Sequence, residues 1–132
     1  MKIKPKITIF HCINSFSEST LTHLGEIDNV DIKYIRLPCS GMIKDVYLLR
    51  AFEAGADAVI VFACPKGECR FVEGNIRAKK RVERTRGLLD EIELDGRRLS
   101  LFNVNQKDEE AAAKIIKDTL SKLKDIGTNP AA

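Results

Sequence analysis

The sequence predicts an α/β fold: a single three-layer domain built on a four-stranded parallel, flavodoxin-like sheet. The length of 132 residues suits one hydrophobic core. Short apolar segments alternate with amphipathic helical segments, and this alternation implies parallel strands joined by right-handed crossovers, with helices on both faces. Residues 58–63 (AVIVFA) are continuously apolar, which is typical of a parallel strand covered on both faces.

Four segments have the composition of strands. Residues 7–10 are short, β-branched and apolar, and residues 32–37 partly alternate between apolar and polar side chains. Residues 58–63 form the third strand and residues 99–104 the fourth. We expect the strand order 2-1-3-4.

The first two helices are predicted between the first three strands. Residues 17–27 have apolar side chains at helical spacing, with Ser17 available as a cap. Residues 43–54 form the second helix, which precedes Gly55, a residue type common just after helices. Its apolar face is expected to contain Val46, Leu49 and Phe52.

Two further helices are predicted around the fourth strand. One follows Cys69 and runs to about residue 94, with an interruption near Gly74, and the other runs from near Asp108 to just before Gly127. The apolar residues of the third helix are Val82, Leu88, Leu89 and Ile92. Those of the fourth are Ile115, Ile116, Leu120 and Leu123.

Composition narrows the class of protein. The chain has no apolar run of about 18 residues that would span a membrane and no signal-peptide pattern, so we expect it to be cytoplasmic. A net charge of +3 is too small to indicate nucleic acid, and we expect neither nucleic acid nor membrane as partner. Four cysteines in a reducing compartment favour metal or redox chemistry over disulfides.

The four cysteines fall where predicted strands end. Cys12 follows the first strand, Cys39 the second and Cys64 the third, and Cys69 lies at the entrance to the next helix. Because the carboxyl ends of parallel strands share one edge, we expect all four thiols to meet there. Four thiolates suit a 2Fe–2S cluster, a 4Fe–4S cluster or a structural zinc, whereas a single such cysteine can also be a small buried apolar residue.

A competing motif uses two of the same residues. Cys64 and Arg70 match Cys-x5-Arg, the phosphate-binding loop of cysteine phosphatases and arsenate reductases, in which the thiolate attacks and the arginine holds the oxyanion. Phe71 stands where a Ser or Thr usually supports the nucleophile, and Pro65 removes one N–H donor from the loop. This interpretation also leaves two cysteines unexplained.

Several segments together resemble one known family. They are Cys-Ser-Gly at residues 39–41, LRAFEAGADAV at 49–59, ACPKGECRF at 63–71 and GNIRA at 74–78. The pattern is similar to that of the delta subunit of the methyl-viologen-reducing hydrogenase family, from about the first strand to the fourth. The resemblance implies a non-catalytic electron-transfer subunit with a 2Fe–2S cluster bound by Cys12, Cys39, Cys64 and Cys69.

The resemblance also implies partners. Such subunits relay electrons from a hydrogenase or formate dehydrogenase subunit to the flavin-bearing subunit of a heterodisulfide-reductase-type complex. The chain departs from the family pattern after its first strand, where residues 11–15 (HCINS) keep one cysteine of a cysteine-rich stretch. If Cys12 is not a ligand, either His11 or a partner residue would complete the site, or the domain has lost its cluster. Otherwise His11 is a strand-end histidine packed against a helix.

The domain prediction is a single α/β iron–sulfur domain over residues 1–127, with a disordered tail over residues 128–132. The helix after Cys69 is crowded with cations, which are either a solvated face or a surface that orients an acidic partner. A third hypothesis therefore remains beside the electron carrier and the phosphatase. It is a zinc-binding or metal-free assembly module that docks through this helix.

Overall fold

The computed structural model describes residues 5–12, 30–37, 45–63, 74–92, 94–103 and 109–127. In these residues the chain forms four strands, three α-helices and one 3₁₀ turn. They are β1 (Lys6–Cys12), β2 (Asp31–Leu37), α1 (Asp45–Glu53), β3 (Ala58–Ala63), α2 (Gly74–Glu91), the 3₁₀ turn (Gly96–Arg98), β4 (Leu99–Asn103) and α3 (Glu109–Ile126).

All four strands are parallel, in the order β2-β1-β3-β4. This confirms the predicted α/β class and the predicted order 2-1-3-4. The bounds of β3 agree with the prediction, and α2 is continuous from Gly74 onwards. The predicted helix over residues 17–27 and the tail over 128–132 lie outside the described residues. No helix in the described part of the chain is both long enough and apolar enough to cross a bilayer.

Each face of the sheet is covered by helices. α3 packs on one face through Ala112, Ala113, Ile116 and Leu123, and α1 and α2 pack on the other through Leu48, Phe52, Val82 and Leu89. Residues 58–62 of β3 are fully buried, since both faces of this central strand are covered. In the described part of the chain, the centre of the sheet is therefore covered on both faces.

Three predicted core residues are exposed instead. Val46 is 44% exposed in α1, where Leu48 fills the core. Leu88 is 38% exposed in α2, and Ile92, one residue after α2, is 59% exposed. Helical spacing identifies an apolar stripe but cannot choose between adjacent apolar residues, and the position of the sheet makes that choice. In α3, Ile116 and Leu123 are buried as predicted, and Ile115 and Leu120 pack partly buried against the same cluster.

Gly96 joins α2 to β4 through a close approach of backbone. Its N–H donates to Asp90 Oδ1 at 2.7 Å, and its carbonyl oxygen accepts from Arg86 Nε at 3.1 Å. A Cβ at this position would lie 2.8 Å from the Arg86 carbonyl oxygen and 3.1 Å from both carboxylate oxygens of Asp90. We expect Gly96→Ala to lower the free energy of unfolding by about 1–3 kcal/mol, because the backbone of α2 cannot move away. The midpoint of urea unfolding measures this loss.

Gly87 provides a matched control within α2. A Cβ there meets nothing within 4 Å. Gly87→Ala should therefore raise the free energy of unfolding by about 0.5–1 kcal/mol, since alanine restricts the unfolded chain and favours helix. Equal effects of the two substitutions would contradict the close packing at Gly96.

Candidate metal centre

The four strands end in register at the carboxyl edge of the sheet. His11 pairs with Phe62, and Cys12 pairs with Leu37. On the far side of β3, Ala63 pairs with Asn103. The last residues of the strands thus form one row across the sheet, which we call the end row: Leu37, Cys12, Ala63 and Asn103.

Three of the four cysteines lie in the end row or within two residues after it in the sequence. Cys12 is itself in the end row, and the sequence has Cys64 one residue after it in the third strand and Cys39 two residues after it in the second. Cys39, Cys64 and Cys69 lie outside the described residues, as does Arg70 of the competing motif. Within the residues that the structure does describe, no three His, Cys, Asp or Glu side chains converge on a metal position.

An aromatic layer lies directly below the end row, on the side of the sheet that α3 covers. His11 is 5% exposed, and its ring meets that of Tyr34 edge-on, with centroids 6.4 Å apart. The rings of Phe62 and Phe102 lie 6.5 Å apart in the neighbouring strands. His11 is thus one of four rings that cover the sheet interior below the edge.

Tyr34 is half-buried at the edge of this layer. Its hydroxyl is buried and has no hydrogen-bond partner in the described part of the chain. Burial raises the pKa of Tyr34, so the phenol stays neutral across the physiological range.

A cavity of about 610 Å³ lies elsewhere, between α1 and the strands β1 and β2. Lys6 and Asp31, which begin these strands, are among its lining residues, so the cavity extends toward the amino ends of the strands. Its described lining contains no cysteine. Its lining also includes Phe10 and Ile35, each two residues before the end row.

The cationic helix predicted after Cys69 is α2. Lys79, Lys80, Arg84 and Arg86 are exposed on it and Arg81 is half-buried. No acidic residue occupies its first turn. Since α2 is followed by the 3₁₀ turn and then by the start of β4, its last turn lies at the amino edge and its first turn at the carboxyl edge, beside the end row.

Comparison with known proteins identifies the chain's relatives. Residues 7–127 match the model of the family described as methyl-viologen-reducing hydrogenase, delta subunit. The chain is 35% identical over 99 residues to the iron–sulfur subunit of the vhu F420-non-reducing hydrogenase of Methanocaldococcus jannaschii, covering 75% of this chain and 74% of the relative. The corresponding protein of Methanococcus maripaludis is 37% identical over 99 residues, with the same coverage.

A third relative is a much larger protein. The chain is 32% identical over 114 residues to one subunit of the ferredoxin:CoB-CoM heterodisulfide reductase of Methanosarcina mazei, which we call the reductase subunit. The match covers 86% of this chain but only 14% of that relative. A region similar to this chain is therefore part of a larger reductase polypeptide in that organism.

Proposed function

Because the chain belongs to the methyl-viologen-reducing hydrogenase delta subunit family, we propose that it is an electron-transfer subunit with one 2Fe–2S cluster. Cys12, Cys39, Cys64 and Cys69 are the proposed ligands. The protein relays electrons between a hydrogenase or formate dehydrogenase and the flavin-bearing subunit of a heterodisulfide-reductase-type complex in the cytoplasm. It carries no catalytic residues of its own.

The observation that supports the cluster most directly is the coincidence of strand ends and cysteines. The end row contains Cys12, and in the sequence Cys64 and Cys39 follow it within two residues on the two strands next to β1. Open parallel sheets bind their ligands at this edge. Four thiols are the number that one 2Fe–2S or one 4Fe–4S cluster needs, and the names of the hydrogenase relatives include iron–sulfur. The family resemblance favours the 2Fe–2S type.

The proposed partners follow from the two groups of relatives. Some are named as subunits of an F420-non-reducing hydrogenase, and in another the similar region lies within the reductase subunit. Covalent linkage raises the effective concentration of two domains that work together. A separate chain of this family is therefore proposed to bind a separate protein of the reductase kind, and to pass electrons between it and the hydrogenase.

The first test is metal analysis of protein purified without oxygen. We expect about two irons and two acid-labile sulfides per chain, with a visible spectrum that dithionite bleaches. About four irons would replace the 2Fe–2S assignment by a 4Fe–4S cluster. Zinc in place of iron would favour the assembly module, and folded protein without any metal would overturn the cluster assignment.

A further inference from the structure

The outward side of α2 combines exposed apolar side chains with cations. Val82, Thr85 and Leu89 are buried and define the inward side of the helix. Leu88 and Ile92 are 38% and 59% exposed and lie four residues apart, so they are neighbours on the helix surface. Single exposed apolar residues are common on protein surfaces, whereas contiguous apolar surface bordered by polar residues marks interaction sites.

The apolar pair continues into a cationic stripe. Arg81, Arg84 and Leu88 lie in α2 at spacings of three and four residues, and Ile92 directly follows the helix, four residues after Leu88. The Ile92 N–H donates to the Leu88 carbonyl oxygen at 3.1 Å, so the last turn continues to Ile92 and the four residues share one side. Lys80 lies one turn before Arg84 and widens the cationic part. We call these five residues the α2 surface. Its cationic half lies toward the carboxyl edge of the sheet and its apolar half toward the amino edge.

The helix α2 carries an excess of cations. α2 has six cationic and three acidic residues, an excess that equals the net charge of +3 of the whole chain. Its first turn contains no acid, so no carboxylate in that turn stabilises the positive end of the helix dipole. By contrast, α3 begins with Glu109 and Glu110 and has equal numbers of cations and acids. The first turn of α2 thus lacks the acidic residues that usually stabilise a helix start, whereas the first turn of α3 has them. Departures from such local preferences are expected at functional sites.

We propose that the α2 surface is the docking site for the flavin-bearing subunit of the heterodisulfide-reductase-type complex, and that this subunit presents an apolar centre bordered by acidic side chains. Acidic groups would face Lys80, Arg81 and Arg84, and the apolar centre would cover Leu88 and Ile92. The charges set the orientation and rate of association, and the apolar contact lengthens the lifetime of the complex. This inference rests on the proposed function, because it identifies the surface that the relay uses.

The position of the surface suits a relay. At a rise of about 1.5 Å per residue, Lys80 lies about 9 Å and Ile92 about 27 Å from Gly74 along the helix axis. A partner aligned on this stripe with its acidic part over the cations is held beside the carboxyl edge, where Cys12 ends β1. The same partner docked in reverse would lose the pairing of opposite charges, which disfavours that orientation.

The test compares two double variants on α2 with a matched one on α3. The α2 variants are Lys80→Glu with Arg84→Glu, and Leu88→Ser with Ile92→Ser. The control is Lys114→Glu with Lys117→Glu, which changes net charge by the same amount on the opposite face of the sheet.

The binding partner is the purified flavin-bearing subunit of the heterodisulfide-reductase-type complex from the same organism, called the flavin partner below. Binding is measured by interferometry without oxygen, at low and high salt, and iron content and the urea midpoint are recorded for every sample.

We expect the charge-reversal variant to weaken binding at least about tenfold at low salt and to flatten its salt dependence, because steering charges are lost. The serine variant should weaken binding about tenfold at both salt concentrations, since loss of apolar contact is insensitive to salt. The α3 control should change binding less than about twofold.

Three results would overturn the docking proposal. If wild-type protein binds the flavin partner and both folded α2 variants bind it equally well, the α2 surface is not the docking site, while the proposed function stands. If the α3 control weakens binding as much as the α2 charge reversal, net charge and not the α2 surface is responsible. If wild-type protein with its cluster does not bind the flavin partner, the partner in the proposed function fails together with this inference.

Discussion

Cys64→Ala should leave the protein folded but without its cluster. Iron should fall from about two atoms per chain to near background, because alanine offers no donor and a cluster of this kind needs all four of its ligands. The fold should persist, since β3 is held by residues 58–62, which are buried between two helix layers. Iron and sulfide analysis measures the loss, and far-ultraviolet circular dichroism with urea unfolding verifies the fold.

Arg70→Ala is the control that separates the two chemistries proposed for this segment. In an iron–sulfur protein Arg70 is no ligand, so its substitution should leave the iron content unchanged. In a cysteine phosphatase both Cys64 and Arg70 are indispensable, and each substitution should abolish hydrolysis of p-nitrophenyl phosphate. Iron retained in folded Cys64→Ala would remove Cys64 from the ligand set, and wild-type hydrolysis that both substitutions abolish would favour the phosphatase.

The fold was predictable because its determinants are local. Residues 58–63 form a strand of high apolar content that only a covered parallel sheet accommodates, and the alternation of strands and helices restricts the topology to few orders. The expected convergence of cysteines at one edge followed from the same rule. The end row itself was not predictable, because the register between strands depends on pairing across the sheet and not on any one segment.

The burial of individual side chains was the least predictable feature of the fold. Leu48 and Leu49 are adjacent in sequence, yet only Leu48 is fully buried, and the same division separates buried Leu89 from exposed Leu88. The burial of Arg98 is also not predictable from the sequence, because Arg98 follows a second arginine and no sequence pattern marks it as buried. In these cases the neighbouring helix and sheet decide which side chain turns inward.

Arg98→Ala should destabilise the protein by about 3 kcal/mol, a large part of a typical total of about 5–15 kcal/mol. Arg98 is 3% exposed. Its Nε donates to the Leu94 carbonyl oxygen at 2.6 Å, and its Nη1 donates to those of Asp57 at 3.1 Å and Gly127 at 2.9 Å. Burial lowers the pKa of Arg98, but a guanidinium stays charged at neutral pH, so these are charge-assisted bonds.

The three acceptors belong to three different parts of the fold. Leu94 follows α2, Asp57 precedes β3, and Gly127 follows α3, where a φ of 88° ends the helix. Truncation of Arg98 would leave their carbonyl groups short of donors and would remove a cation from the negative end of the α3 dipole. Arg98→Lys should recover only part of the loss, because one ammonium group cannot reproduce the planar arrangement of donors.

Arg97→Ala is the adjacent control for this prediction. Arg97 pairs with Asp95 at 2.6 Å on the surface, with 61% of its side chain exposed, and its loss should change the urea midpoint little. Iron content should be unaffected in Arg98→Ala, Arg98→Lys and Arg97→Ala. Arg98 forms its hydrogen bonds at the amino edge of the sheet, whereas the cysteines come after the carboxyl ends of the strands in the sequence. Equal unfolding midpoints for Arg98→Ala and Arg97→Ala would show that Arg98 does not join these three segments in solution.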